Sequence, residues 1–128
     1  MAKVCVLIVE DNPDVQELLR TLLEIKGFDV VSAEDGAAAL QLLTHVRPDL
    51  MLTDMRMPKM DGAELIQCVR RSKEFADLPI IAMSAYGSGR MSEAKAAGAT
   101  ATIRKPTHFD RLVDTINKLL APPPPKLS

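Results

Sequence analysis

Four places along the chain set an ionisable or hydroxyl-bearing residue where an apolar run stops. Glu10-Asp11 follows Val4–Val9, Asp54 follows 49–53, Ser84 closes 79–84, and Lys105-Pro106 follows 100–104. Taken singly, each has an ordinary reading. An acidic residue after a strand is an N-cap or a solvated loop charge, a serine there is a turn residue, and a lysine is a surface cation. Their joint placement asks for more. Three carboxylates brought into one small volume repel and desolvate each other, which raises at least one pKa unless a cation joins them. Hard oxygen ligands in a half-open cluster suit Mg²⁺, which takes one or two carboxylates, waters and a phosphate oxygen.

The elements that must position these groups are legible from the hydrophobic pattern. Val4–Val9 is a continuous Val- and Ile-rich run of strand length, as expected of a strand covered on both faces. Asn12-Pro13 supplies an N-cap and a proline at the first helical position. Val15, Leu18, Leu19, Leu22 and Leu23 follow at helical spacing, and Gly27 stops that helix. A second strand is expected over 28–33, a turn at Asp35-Gly36, and a helix from Ala37 to about His45 burying Leu40 and Leu43. A third strand is expected over 49–53 and a loop over 55–60. Asp61 and Glu64 then form a capping pattern for a helix that buries Leu65, Ile66 and Val69. A fourth strand spans 79–84. Gly87-Ser88-Gly89 reads as a loop, followed by a short, Ala-rich, weakly amphipathic helix to Ala97 that Gly98 stops. A fifth strand spans 100–104, and Thr107 with Asp110 reads as a capping pair for a last helix carrying Leu112, Val113, Ile116, Leu119 and Leu120.

Five strand–helix repeats of this kind predict a (βα)5, α/β, doubly wound parallel sheet with helices on both faces. Five strands are too few for an eight-stranded barrel. The working edge of such a sheet is the carboxyl end of its strands, where all four places fall.

Composition narrows the function. The chain has 128 residues, 47% hydrophobic and 26% charged, which suits one soluble domain with a real core. A net charge of −1 leaves no electrostatic footprint for nucleic acid, and 3% aromatics leave few stacking platforms. Cys5 and Cys68 lie in apolar segments without metal-type spacing and read as small buried hydrophobes of a reducing compartment. The start of the chain loosely resembles a secretory signal. However, its apolar run is short, meets Glu10-Asp11-Asn12-Pro13 and has no small-residue cleavage site, so a cytoplasmic protein with no membrane segment is expected. Residues 1–121 form the expected domain. Residues 122–128, opening on four prolines, read as a proline-rich tail or the start of a linker.

The chain resembles a response-regulator receiver domain over residues 3–120. The motifs that carry the likeness are Val-Glu-Asp-Asn at 9–12, Asp-Met-Arg-Met-Pro-Lys-Met-Asp-Gly at 54–62, Met-Ser-Ala at 83–85 and Lys-Pro at 105–106. The resemblance implies a flavodoxin-like sheet of order 2-1-3-4-5 and phosphorelay signalling. Asp54 would be the phosphoacceptor. Asp11, Asp54 and the Arg56 backbone carbonyl would bind Mg²⁺, with Glu10 acting through a bound water. Lys105 would pair with Asp54 and then with a phosphoryl oxygen, and Ser84 would donate its hydroxyl to another. The chemistry agrees, because a carboxylate is a workable nucleophile toward phosphorus once the charge of the transferring group is neutralised. The implied partners are a sensor histidine kinase or a histidine phosphotransfer protein, then a downstream protein or an output domain, with a phosphorylation-dependent dimer left open. Such a domain catalyses only its own phosphorylation and slow dephosphorylation and is not a turnover enzyme.

Three further expectations attach to this reading. Thr102 stands where the family usually has Tyr or Phe, so coupling through an inward-swinging aromatic is unavailable. Lys105-Pro106 is expected to be cis. Arg56 and Tyr86 flank the path of a hydrolytic water and should slow loss of the phosphoryl group, and Tyr86 should report movement of Ser84. Competing readings are weaker. A flavodoxin-type cofactor binder needs hydroxyls and glycines after the first strand, where Glu10-Asp11-Asn12-Pro13-Asp14 would repel phosphate. A haloacid dehalogenase-type hydrolase needs Asp-x-Asp, and the second position here is Arg56. A receiver-shaped interaction module that works without phosphorylation is the remaining alternative.

Overall fold

The apolar runs alternate between two faces, and this alternation builds the whole molecule. In the first run, Val6 and Ile8 point to one side of the sheet and Leu7 and Val9 to the other, and all four are buried. Such a strand is stable only with helices on both faces. The structure, a computed structural model, describes residues 3–85, 90–105 and 108–121. Its elements run β1 (Cys5–Val9), α1 (Pro13–Ile25), β2 (Asp29–Ala33), α2 (Gly36–Leu42), β3 (Leu50–Asp54), α3 (Gly62–Arg71), β4 (Ile80–Ala85), α4 (Arg90–Ala97), β5 (Ala101–Lys105) and α5 (Phe109–Leu120). The strands form one parallel sheet of order β2-β1-β3-β4-β5.

Two cores lie on opposite faces of that sheet. One joins Leu7, Val9 and Met51 to α2, α3 and α4 through residues such as Ala39, Leu65, Ile66 and Ala94. The other joins Val6, Ile8, Leu50, Leu52 and Ile81 to Leu23 of α1 and to Leu112 and Ile116 of α5. Chain order reverses at β1: β2 lies on one side of it and β3 on the other. The crevice at the carboxyl ends of β1 and β3 is therefore the switch point of the sheet, where ligands of open α/β sheets bind.

Helix ends follow the expected chemistry closely. The Asn12 side chain accepts from the Asp14 and Val15 N–H groups, with Pro13 opening α1. At its far end Gly27 takes φ +95°, its N–H donates to the Glu24 carbonyl, and Phe28 N–H donates to the Leu23 carbonyl. This closes the helix and buries Phe28 against Leu23.

Several boundaries differ from expectation. Strands β3, β4 and β5 each run one residue further than the hydrophobic pattern indicates, because parallel pairing continues into the polar residues Asp54 and Lys105 and into Ala85. Asp35-Gly36 is not a free turn: Asp35 caps α2 by accepting from Ala38 N–H, and Gly36 is the first helical residue. Helix α2 stops at Leu42, short of His45. The residue that precedes α5 is His108, which makes no side-chain capping bond. A single 3-10 turn at Lys73–Phe75 was not expected. Cys5 and Cys68 are free thiols but only half-buried. Thr107, Tyr86, the Lys105-Pro106 bond and the proline-rich stretch 122–128 lie outside the described residues.

Candidate functional site

Glu10, Asp54 and Lys105 are each carried to the crevice by a strand that has not yet stopped pairing. Glu10 N–H donates to the Ala33 carbonyl at 3.0 Å, one step beyond β1, so the Glu10 side chain is still inside the sheet edge and only 4% exposed. The β1–α1 corner is fixed by Gln16, whose Nε2 donates to the Glu10 carbonyl at 3.0 Å. Asp11, between them, lies exposed at the mouth.

Asp54 is the last residue of β3, opposite Met83. Met55 N–H continues the pairing to the Met83 carbonyl at 3.0 Å. Behind it Gly62 presses on the same strand end: a Cβ there would lie 2.5 Å from the Asp54 carbonyl oxygen and 2.8 Å from Met55 Cα. Its own N–H donates to the Met55 carbonyl at 2.9 Å. The start of α3 is thus clamped onto the strand that carries Asp54. Asp61 caps α3 through Oδ1, which accepts from Glu64 N–H at 2.9 Å, as the spacing indicated.

From the other side of the crevice Lys105 reaches in from β5. Its Nζ donates to Asp54 Oδ2 at 3.1 Å and lies 3.6 Å from Glu10 Oε1. Ser84, on β4 and 2% exposed, lines the same cleft of about 560 Å³ with Glu10, Asp11, Asp54, Arg56 and Lys105. Arg56 is exposed at its rim, with its N–H 3.4 Å from Asp54 Oδ1. Thr102 is half-buried opposite Ala82, and no described aromatic residue lines the cleft.

The electrostatics are those of a crowded carboxylate cluster. Glu10, Asp11 and Asp54 bring carboxylate oxygens within 4.8 Å of one another. Burial, first of all, pushes the Glu10 carboxyl up to about 7; the Asp54 charge and hydrogen bonds shared with Asp11 and Asp54 push the same way, and Lys105 opposes them. Among the described residues, the buried Glu10 Oε2 has no hydrogen-bond partner. A buried carboxylate oxygen without a donor is costly, and a divalent cation coordinated nearby would offset that cost. The three carboxylates could therefore hold a metal ion.

Of the residues singled out from sequence, Glu10, Asp11, Asp54, Arg56, Ser84 and Lys105 line one cleft, whereas Thr102 is not among its lining residues. The structure also adds Arg90, the first residue of α4, which lines the cleft and pairs with Asp61 at 2.9 Å. The signal for Arg90 was topological: a helix following β4 must begin at the carboxyl edge. The weak periodicity of that helix concealed which residue would start it.

A doubly wound sheet with carboxylates converging at its switch point, a lysine reaching them from β5, defines an acidic-site α/β domain of the flavodoxin-like type. A family model for the response regulator receiver domain matches residues 6–117. The chain is 34% identical over 116 residues to the polar-differentiation response regulator DivK of Brucella anthropi, covering 90% of this chain and 94% of that protein. Among solved structures, a response regulator from Chloroflexus aurantiacus superposes with a TM-score of 0.90 at 31% identity, covering 94% of this chain and all 100% of the other. The chemotaxis response regulator CheY4 of Vibrio cholerae gives 0.85 at 29% identity, covering 93% of this chain and 100% of its own. The chain belongs to the response regulator receiver domain family. Among the described residues no helix is long and apolar enough to cross a membrane.

Proposed function

We propose that this chain is a phosphoacceptor of two-component signalling, in which Asp54 takes a phosphoryl group from a phosphohistidine on a sensor histidine kinase or a histidine phosphotransfer protein. The observation that carries this reading is the Lys105 ammonium held against Asp54 inside a three-carboxylate cleft at the switch point of the sheet. Of the three carboxylates, Glu10 is buried with a raised pKa and Asp11 is exposed at the mouth. Asp54 alone combines access to the cleft with a hydrogen bond to the cation.

In the transfer, an Asp54 oxygen forms a bond to phosphorus as the phosphorus–nitrogen bond to the donor imidazole breaks, and the imidazole leaves with the bonding electron pair. Little covalent help is needed, because positioning and charge neutralisation carry most of the catalysis. Lys105 turns from the Asp54 carboxylate to a phosphoryl oxygen, and the Ser84 hydroxyl donates to another. Asp11, Asp54 and the Arg56 carbonyl would hold Mg²⁺, with Glu10 reaching it through water, and the ion when bound supplies the remaining neutralising charge. The Arg56 side chain at the rim would obstruct the approach of water and lengthen the life of the product. The phosphoryl group stays on the chain, so the output is altered binding of a protein partner or output domain, in the cytoplasm, and not turnover.

The test is intact mass after incubation with a small acyl-phosphate donor and Mg²⁺. The wild-type protein should gain one phosphoryl group and Asp54→Ala none. Equal gain in the two proteins would contradict the assignment.

A further inference from the structure

We propose that Arg90 is a reserve cation for phosphorylated Asp54: it is parked on Asp61 in the free protein and transfers to the phosphoryl group, carrying the start of α4 with it. This rests on the phosphoacceptor reading above.

Arg90 lines the same cleft as Asp54, Ser84 and Lys105. Its guanidinium donates to Asp61 Oδ2 at 2.9 Å and lies 3.4 Å from Glu93 Oε1. The two side chains of the main pair are 24% and 29% exposed, so the pair is partly shielded from water and salt. Asp61 divides its carboxylate: one oxygen caps α3 and the other holds Arg90. The neighbouring Gly62 fixes the Asp61 end on the Asp54 strand. A carboxylate anchored to the acceptor's own strand thereby holds the first residue of the next helix by charge.

Helix α4 packs through small side chains. Its buried side chains are Ala94 and Ala97, which supply small apolar contacts. Its far end is pinned. Gly98 takes φ +118°, Arg70 Nε donates to the Gly98 carbonyl at 3.0 Å, and Lys95 Nζ donates to the Thr100 carbonyl at 3.0 Å. One end is held by hydrogen bonds, and the other carries an ion pair whose arginine lines the reactive cleft, so a change of charge in the cleft can act on the start of the helix.

Phosphorylation changes the competition for Arg90. A single carboxylate charge on Asp54 becomes a phosphoryl group of nearly two charges, projecting three acceptor oxygens into the cleft. A guanidinium forks onto such oxygens with two parallel hydrogen bonds and prefers them to a singly charged carboxylate. Asp61 keeps its capping bond when Arg90 leaves, so α3 is undisturbed and α4 alone responds. With Thr102 on β5 in place of a ring, this charge-driven route couples the site to the α4 surface without an aromatic rotation.

The test uses wild type, Asp61→Asn and Arg90→Gln, each with and without the phosphoryl group, with loading verified by mass. Asparagine caps a helix as well as aspartate does, so Asp61→Asn removes the charge and spares α3. Amide hydrogen exchange is read over residues 90–97. Without phosphate, Asp61→Asn should exchange about two- to fivefold faster than wild type, the range expected for one partly exposed ion pair. With phosphate, the two should become equal, and Arg90→Gln should show no phosphorylation-dependent change. A difference between wild type and Asp61→Asn that persists after loading, or an Arg90→Gln response equal to wild type, would overturn the proposal. The Arg90 Nε–H resonance of the wild-type protein gives a readout that needs no variant: it should shift on loading, and a stationary resonance also overturns the proposal. A protein that accepts no phosphoryl group overturns both readings, whereas a loaded protein with an unmoved Arg90 overturns only this one.

Discussion

Glu10 concentrates the tension of the site in one side chain. It is nearly fully buried, its Oε2 has no hydrogen-bond partner among the described residues, and its carboxyl pKa is raised from 4.5 to about 7. A folded-state pKa above the unfolded value means that the folded protein binds this proton more tightly. The resulting stabilisation is complete below about pH 4.5 and is lost as pH rises through about 7. In chelator, wild type should therefore lose stability relative to Glu10→Gln between about pH 5 and about pH 8 in urea denaturation. Parallel pH profiles for the two proteins would show that Glu10 does not titrate in that window. Glu10, Asp11, Asp54, Ser84 and Lys105 were all legible in the sequence, because each interrupts an apolar run and a parallel sheet sends every such interruption to one edge. Arg90 was not, because nothing in the Ala-rich stretch 90–97 fixes a helical face, and its pairing with Asp61 joins residues 29 positions apart.

At the scale of elements, two glycines with different duties separate strain from site geometry. Gly62 has a backbone neighbour 2.5 Å from where a Cβ would sit, whereas Gly27 has positive φ and open space around it. Gly62→Ala should cost about 1–3 kcal/mol through overpacking against β3 and should also slow phosphoryl uptake, since the displaced atoms belong to Asp54 and Met55. Gly27→Ala should cost about 1–2 kcal/mol through left-handed strain alone, with uptake unchanged. Denaturant midpoints and initial rates of phosphorylation check both, and slow uptake in Gly27→Ala would break the distinction. Glycine stops, Asn12-Pro13 and Asp61 were readable because capping is local chemistry. The ends of β3 and β5 were not, because the pairing of Asp54 opposite Met83 and Lys105 opposite Ala85 is a property of neighbouring strands. For the same reason the sequence pattern ends these strands at Thr53 and Arg104 and places Asp54 and Lys105 just outside them.

At the scale of the whole molecule, the strand order decides where the chemistry lies. Parallel pairing with β1 between β2 and β3 puts Glu10 and Asp11 beside Asp54, although the chain separates them by some forty residues. Alternating apolar runs imply a parallel sheet, but not which strand neighbours which; that order came from resemblance to a family and not from periodicity. A cation bound by this cluster stabilises the folded chain by mass action. Mg²⁺ at ten times its Kd should add about 1.4 kcal/mol and raise Tm by about 5 °C. Asp11→Ala should lose most of that shift, and a variant that keeps it would put the metal elsewhere. The central claim is that the cleft directs a phosphoryl group to one particular carboxylate, and the most direct measurement is chemical mapping of the loaded wild-type protein. Hydride reduction converts an acyl phosphate to the corresponding alcohol with loss of phosphate, leaving a mass-marked side chain that peptide sequencing can locate. The mark should fall on Asp54 alone. A mark on Asp11 or Glu10, or a phosphoryl gain with no reducible carboxylate in the peptide containing residue 54, would contradict the account.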